Sequence, residues 1–187
     1  SNIELREGET AEIKISPSPE EGKTVTWKSE SEENVSIETT DNSSAFVLGL
    51  KAGKCSNITA TIDGVETEKC QVQVYGLNKD HVTLKADETI PVNDSSQGLY
   101  FMINDNYQEK NVTWKSNNET IIKIVDNELI PCDIGSTTVS ATYNGKSATC
   151  SVKVLPPFTL NKYATTILIG GTDTLQAIKN LNNSNTS

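Results

Sequence analysis

The chain has 187 residues, 25 of them acidic and 16 basic, for a formal net charge of −9; 35% are apolar and only 5% aromatic. A surface of that sign repels phosphate backbones and anionic lipid, which sets aside nucleic-acid and membrane-surface binding. No run of about 18 apolar residues is present to cross a bilayer, and the lean apolar content fits one or two small sandwich cores better than one large, deeply packed enzyme.

In chain order, AEIKI (Ala11–Ile15), ITATI (Ile58–Ile62) and CQVQV (Cys70–Val74) alternate apolar and polar residues. That is the period of strands with one face in a core and one in water. In the last run Cys70, Val72 and Val74 face inward, with Gln71 and Gln73 outward. Asp63-Gly64 between alternating runs signals a tight hairpin, because both central residues of such a turn need positive φ. VTWKS at Val25–Ser29 has the same frame and makes Trp27 a large inward side chain, burying roughly 150–250 Å². A sugar-stacking platform would need that ring exposed, and the alternation argues for the core.

The chain then repeats itself. VTWKS recurs at Val112–Ser116, so Trp114 stands where Trp27 stood. LKADET (Leu84–Thr89) matches LREGET (Leu5–Thr10), and VSATYNGKSATCSVKV (Val139–Val154) matches ITATIDGVETEKCQVQV (Ile58–Val74), with Asn144-Gly145 as the second hairpin signal. The tryptophans lie 87 residues apart and Cys70 and Cys150 lie 80 apart, so the loops differ in length between fixed landmarks. A period near 80 residues indicates tandem domains rather than a solenoid, whose periods run about 20–50. LNKYATTILIGGT (Leu160–Thr172) resembles LNKDHVTLKADET (Leu77–Thr89) and opens a third copy. The expected division is 1–75 for copy one, 76–155 for copy two and 156–187 for the start of a third, all-β and joined by short links. The first copy lacks the LNK opening, which predicts a vacant sheet edge. The tail's apolar set, Ile167, Ile169, Leu175 and Ile178, has no core of its own; it must pack on copy two, fray, or fill that edge in a neighbouring molecule.

Gly8-Glu9-Thr10, Val25–Ser29, Leu50-Lys51-Ala52-Gly53, Ile58–Thr61 and Val72–Val74, in that order, resemble the landmarks of the group 2 bacterial immunoglobulin-like domain. Copy two keeps them less cleanly, with Cys132-Asp133-Ile134-Gly135 in place of LKAG and about eight extra residues near NDSSQGLYFMINDNYQ before its tryptophan. The resemblance implies tandem immunoglobulin-like β-sandwiches in the extracellular part of a bacterial surface protein. It further implies a non-catalytic stalk or adhesin segment, monomeric, whose partner is a host or cell-wall protein or a glycan. The alternative it implies is an accessory module that positions or binds carbohydrate beside a secreted enzyme. The Leu99-Tyr100-Phe101-Met102 stretch is the candidate aromatic cluster for that use.

Nothing in the residues points to catalysis, a cofactor or a metal. His81 is the lone histidine, in a turn, while a zinc site needs three or four ligands and a catalytic dyad needs a partner within reach. The acidic run Glu30-Ser31-Glu32-Glu33 lacks the spacing of a calcium loop and reads as solvated. Gly170-Gly171 reads as a β-turn rather than a phosphate cradle. Each copy has two cysteines, Cys55 with Cys70 and Cys132 with Cys150; in an extracellular chain this predicts one disulfide per domain. The other reading of the four is as buried free thiols acting as small hydrophobes.

Overall fold

A computed structural model of the chain describes residues 1–160, 162 and 164–179. The first half contains strands β1 (Asn2–Arg6), β2 (Thr10–Lys14), β3 (Val25–Ser29), β4 (Val35–Thr39), β5 (Ser44–Gly49), β6 (Cys55–Ile62), β7 (Val65–Glu66) and β8 (Cys70–Leu77). The second half contains β9 (His81–Lys85), β10 (Ile90–Pro91), β11 (Phe101–Ile103), β12 (Asn106–Gln108), β13 (Val112–Ser116), β14 (Ile122–Val125), β15 (Glu128–Pro131), β16 (Gly135–Tyr143) and β17 (Lys146–Leu155). A short pair, β18 (Phe158–Leu160) and β19 (Ala177–Lys179), follows. There is no helix among the described residues.

In each half one sheet carries three strands, β2-β5-β4 and β10-β15-β14. The facing sheets are β3-β6-β8, with β1 parallel on β8, and β13-β16-β17, with β9 parallel on β17. This is the immunoglobulin-like sandwich, twice over. Alternation fills both cores. Val72, Val74, Ile58, Val47 and Val35 are buried in the first; Val152, Val154, Cys150, Val139 and Phe101 are buried in the second.

The expected hairpins form as two-residue turns: Ile62 pairs with Val65 and Tyr143 with Lys146. Asp63, Gly64, Asn144 and Gly145 all have positive φ, as such a turn needs. Two further turns of this kind, Asn104-Asp105 and Asp126-Asn127, contain no glycine. At Gly170-Gly171 the amide of Gly171 donates to Leu168 O at 2.8 Å, closing a β-turn.

The repeated motifs are local devices for closing the sandwich. In VTWKS, Thr26 and Lys28 point to water while Trp27 packs against the core. The buried Ser29 hydroxyl bonds Val35 O at 2.7 Å and lies 2.8 Å from Ser56 Oγ, tying the end of β3 to β4 and β6. The glutamate of each ET pair braces the turn before it: Glu9 Oε2 accepts from the Arg6 amide at 2.9 Å, and Glu88 Oε2 from the Lys85 amide at 3.2 Å.

The vacant edge expected on copy one is not vacant. Residues Asn2–Arg6 pair in register with Gln71–Tyr75, so the strand that closes the sandwich is present without the LNK that precedes its counterpart. In the tail, Phe158 pairs with Lys179 and Leu160 with Ala177. Ile167, Ile169, Leu175 and Ile178 are all about half exposed or more and do not enter the second core. Residues 161, 163 and 180–187 of the expected third copy lie outside the described residues.

Candidate functional site

The two cores meet along one strand. Val72 and Val74 of β8 belong to the first core, whereas Leu77, three residues on, is buried in the second. The extra residues of copy two then reach back across this joint. Phe101 and Met102 of β11 pair with Leu77 and Gly76, so the β11–β12 hairpin extends the sheet of the first half.

Three contacts seat this hairpin. Phe101 is fully buried, stacked on Tyr75 at 5.9 Å and tilted against Tyr143 at 5.7 Å. Met102 lies against Gly53, where a Cβ would come 2.9 Å from Met102 Cβ; Gly53 also has φ +77. At the hairpin tip the Asp105 amide donates to Gly53 O, and Lys54 Nζ meets Asp105 Oδ1 at 2.6 Å. That bond holds the Lys54 ammonium above its ordinary pKa. Further along the joint, Lys146 Nζ pairs with Glu4 Oε2 at 2.7 Å. The LKAG landmark of copy one is therefore the seat of the hairpin.

Between the halves lies a cleft of about 790 Å³. Its charged lining is four cations, Arg6, Lys51, Lys54 and Lys79, against two carboxylates, Glu7 and Asp80. Leu77, Ala52, Met102 and the ring of Tyr100 supply apolar surface. Tyr100 is fixed from both sides: its amide donates to Asn78 Oδ1 at 2.9 Å, and its ring meets Tyr107 edge-on at 5.1 Å.

The Leu99–Met102 stretch does not form an exposed aromatic platform. Leu99 and Phe101 are fully buried, and Tyr100 and Met102 are half-buried in the joint. Trp27 and Trp114 each pack against their own core, half-buried, opposite Ala60 and Ala141. Their indole N–H groups differ: Trp114 Nε1 donates to Asn93 Oδ1 at 2.8 Å, whereas Trp27 Nε1 is buried without a partner.

The structure does not bring the expected cysteine pairs together, and all four thiols are free. On the β6–β8 ladder Cys55 faces Gln73 and Cys70 faces Ile58. The two are three positions apart, about 10 Å at ~3.3 Å per residue, and on opposite faces of the sheet. A disulfide spans no more than about 7 Å between Cα atoms. Cys150 is buried opposite Val139, while Cys132 is exposed after β15, its thiol donating to Ile130 O at 3.6 Å. Burial, with a smaller contribution from Asp80, pushes the Cys150 pKa up to about 12, and burial raises Cys55. Neither is a ready nucleophile, because the thiolate is the reactive form.

His81 is exposed with Nδ1 2.6 Å from Asp80 Oδ1, and that bond lowers the Asp80 pKa. Glu30, from the acidic run, pairs with Lys69 and accepts from Asn57 Nδ2 at 2.8 Å. No group of three or more His, Cys, Asp or Glu residues placed to hold a metal ion occurs among the described residues.

No protein-family profile and no curated protein matches the sequence. Among solved structures, the chain is similar to a C-terminal 282-residue fragment of intimin, in complex with the intimin-binding domain of the translocated intimin receptor. The identity is 17%, over 81% of this chain and 60% of that one, with a TM-score of 0.37. Domains 5–6 of the S-layer protein SbsC are 14% identical over 83% of this chain and 93% of that one, at 0.34. The I67–I69 fragment of titin is 17% identical over 86% and 65%, at 0.31. The chain thus spans about 60% of the intimin fragment's length, and likeness at this level carries no function across.

Proposed function

We propose that the chain is a non-catalytic, semi-rigid spacer in the extracellular part of a bacterial surface protein, which holds other modules at a set distance and angle. The domains are group 2 bacterial immunoglobulin-like domains, with limits at 1–75 and 76–155 and the opening of a third at 156–187. The observation that carries the reading is the joint. One strand, β8, serves both cores, and a hairpin from the second half is hydrogen-bonded to it and seated on Gly53.

A spacer needs its units to resist bending. Tandem domains on a flexible link move independently by default. Here a bend at Gly76 would break the β11–β8 pairs and pull Phe101 away from Tyr75. A display role asks for no catalytic cluster, and the family resemblance of the ordered landmarks supports a surface location. Residual dipolar couplings test the proposal: amides of both sandwiches are expected to fit a single alignment tensor. Two tensors of clearly different magnitude would refute a rigid joint and with it the spacer role.

A further inference from the structure

β17 is paired along one side over nearly its whole length and along the other over only half. β16 pairs with it from Lys146 to Val154, whereas β9 pairs with Ser151–Leu155 alone. Among the described residues no strand lies beside Lys146–Cys150 on that second side. The register says which main-chain groups this leaves open. The two-residue turn makes Tyr143 and Lys146 a hydrogen-bonded pair, so every second residue from Lys146 points its N–H and C=O at β16. The residues between point theirs the other way, as Ser151 does: its amide donates to Asp80 O at 2.8 Å, on the β9 side. Ser147 and Thr149 therefore each aim an N–H and a C=O at the open edge. Ala148 and Cys150 are buried inward, while the side chains of Ser147 and Thr149 are exposed. The cleft of about 790 Å³ opens at this edge, with Ala148, Thr149, Leu77 and Met102 in its wall.

Copy one treats the same stretch differently. Between Glu66, opposite Thr61, and Cys70, opposite Ile58, it sets three residues against two, Thr59 and Ala60. The extra residue makes a bulge, in which the Thr67 amide donates to Ala60 O at 2.8 Å. Glu66, Glu68 and Lys69 put charge on it. Bulges and charges are devices that keep a sheet edge from pairing with another chain. Copy two has neither here: β17 runs unbroken, Ser147–Cys150 is uncharged, and Lys146 at its end is paired to Glu4.

We propose that the open edge of β17 takes up an extended segment of a partner protein as an added strand, continuing the position that β9 fills over Ser151–Leu155. In-plane N–H and C=O groups at strand spacing are matched by another main chain, which supplies the affinity in strand addition. With Lys54 tied to Asp105, the remaining charges of the cleft are three cations against two carboxylates, so it selects no strong charge. Selection falls instead on alternation. Every second side chain of the added strand meets Ala148 and Leu77 and is apolar; those between lie beside Ser147 and Thr149 and are polar. The edge belongs wholly to the second sandwich, so the site rests neither on the spacer role nor on a rigid joint.

The test is an NMR titration of the isotope-labelled full chain with a short peptide of alternating valine and threonine, ended by one glutamate and one lysine. The amides of Ser147 and Thr149 are expected to shift and to exchange more slowly with solvent, while those of Thr67–Lys69 in copy one stay unchanged. Thr149→Pro deletes an edge donor and none of the bonds to β16, and proline is tolerated where a strand's N–H faces outward. It is expected to weaken binding at least about tenfold. Two methylated peptides supply an arm that needs no variant. An added strand bonds to its neighbour through alternate residues, so N-methylation of the valines and of the threonines should differ, one abolishing binding and the other leaving it nearly intact. No change at Ser147 and Thr149 up to about 1 mM peptide would overturn the proposal. So would equal effects of the two methylated peptides, or unchanged binding by a folded Thr149→Pro chain. Slower exchange of the same amides with protein concentration alone would mean that a second copy takes the edge, and would overturn the choice of partner. The dipolar couplings and this titration fail separately.

Discussion

Lys54 and Asp105 face each other across the joint, Nζ to Oδ1 at 2.6 Å, one from each half of the molecule. Both side chains are about half exposed, and an ion pair in that setting contributes at most about 1 kcal/mol. The pair marks where the hairpin lands, while apolar packing holds it. Asp105→Ala is therefore expected to cost under about 1 kcal/mol in a denaturant melt. Phe101→Ala, which empties a fully buried site, is expected to cost about 3–5 kcal/mol. A larger loss from Asp105→Ala would show that the joint is electrostatic.

Gly53 is the seat that the hairpin cannot do without. An alanine there meets Met102 Cβ at 2.9 Å and must hold φ +77, a backbone region costing roughly 1–2 kcal/mol for a residue with a Cβ. Gly53→Ala is expected to loosen the joint while leaving each core folded. Dipolar couplings should then need two alignment tensors where the parent needs one. Gly64→Ala, in a turn with nothing within 4 Å of the added carbon, is expected to strain its hairpin and leave the joint unchanged.

The tryptophans offer a paired experiment. Trp114→Phe removes the donor to Asn93 Oδ1 and leaves that acceptor unpaired, at an expected cost of about 1–2 kcal/mol beyond the lost ring area. Trp27→Phe removes a buried donor that has no partner, so the hydrogen-bond loss is absent. The first substitution should destabilise more than the second by about that margin in matched urea melts. Equal losses would mean that Trp27 Nε1 is satisfied in solution.

The cysteines yield a mass-spectrometric count. After unfolding without reductant, all four should be alkylated, and in the native protein the exposed Cys132 should react first and the buried Cys150 last. A Cys55–Cys70 peptide from a non-reducing digest would contradict the observed register, and a Cys132–Cys150 peptide the exposure of the one thiol and the burial of the other.

Two groups predict how stability depends on pH. The folded Cys150 pKa, about 12, lies above its ordinary 9.0, so its contribution is full below about 9 and is lost as pH rises toward 12. Asp41 runs the other way. The Ser43 amide, then the hydroxyls of Ser43 and Ser44, hold it at about 2, below its ordinary 3.8. Its contribution is present above about 3.8 and lost as pH falls toward 2. Cys150→Ala should flatten the alkaline arm of a stability–pH curve and Asp41→Asn the acid arm, each without touching the other.

Strands and turns with strong local signals were legible in the sequence. The alternation of Cys70–Val74 and the Asp-Gly and Asn-Gly hairpins report backbone demands that a few adjacent residues meet alone. Asn104-Asp105 and Asp126-Asn127 make the same turn without glycine, relying on the tolerance of Asn and Asp for positive φ, and so lack that signature. The joint was illegible for a different reason. The extra residues of copy two stand out in the sequence as an insertion, with Leu99–Met102 as the candidate aromatic cluster of the alternative function. Only the pairing of Met102 with Gly76, between strands 26 residues apart in number, turns that insertion into a clamp. Two cysteines per copy is a matter of number, whereas a disulfide depends on register, and Cys55 and Cys70 lie three positions out of register on the β6–β8 ladder.

The parallel ladder between β1 and β8 has a mechanical meaning. β1 opens the first sandwich and β8 leaves it, and the two run side by side in the same direction over five register pairs. Tension applied at the two ends of this unit pulls these neighbours lengthwise past each other. Their hydrogen bonds then share the load instead of parting one at a time, as they would in a hairpin peeled from its open end. β9 and β17 repeat the arrangement over His81–Lys85 and Ser151–Leu155. Under flow or traction each sandwich is thus loaded in its stiffest direction, and yielding requires the whole ladder to slip at once.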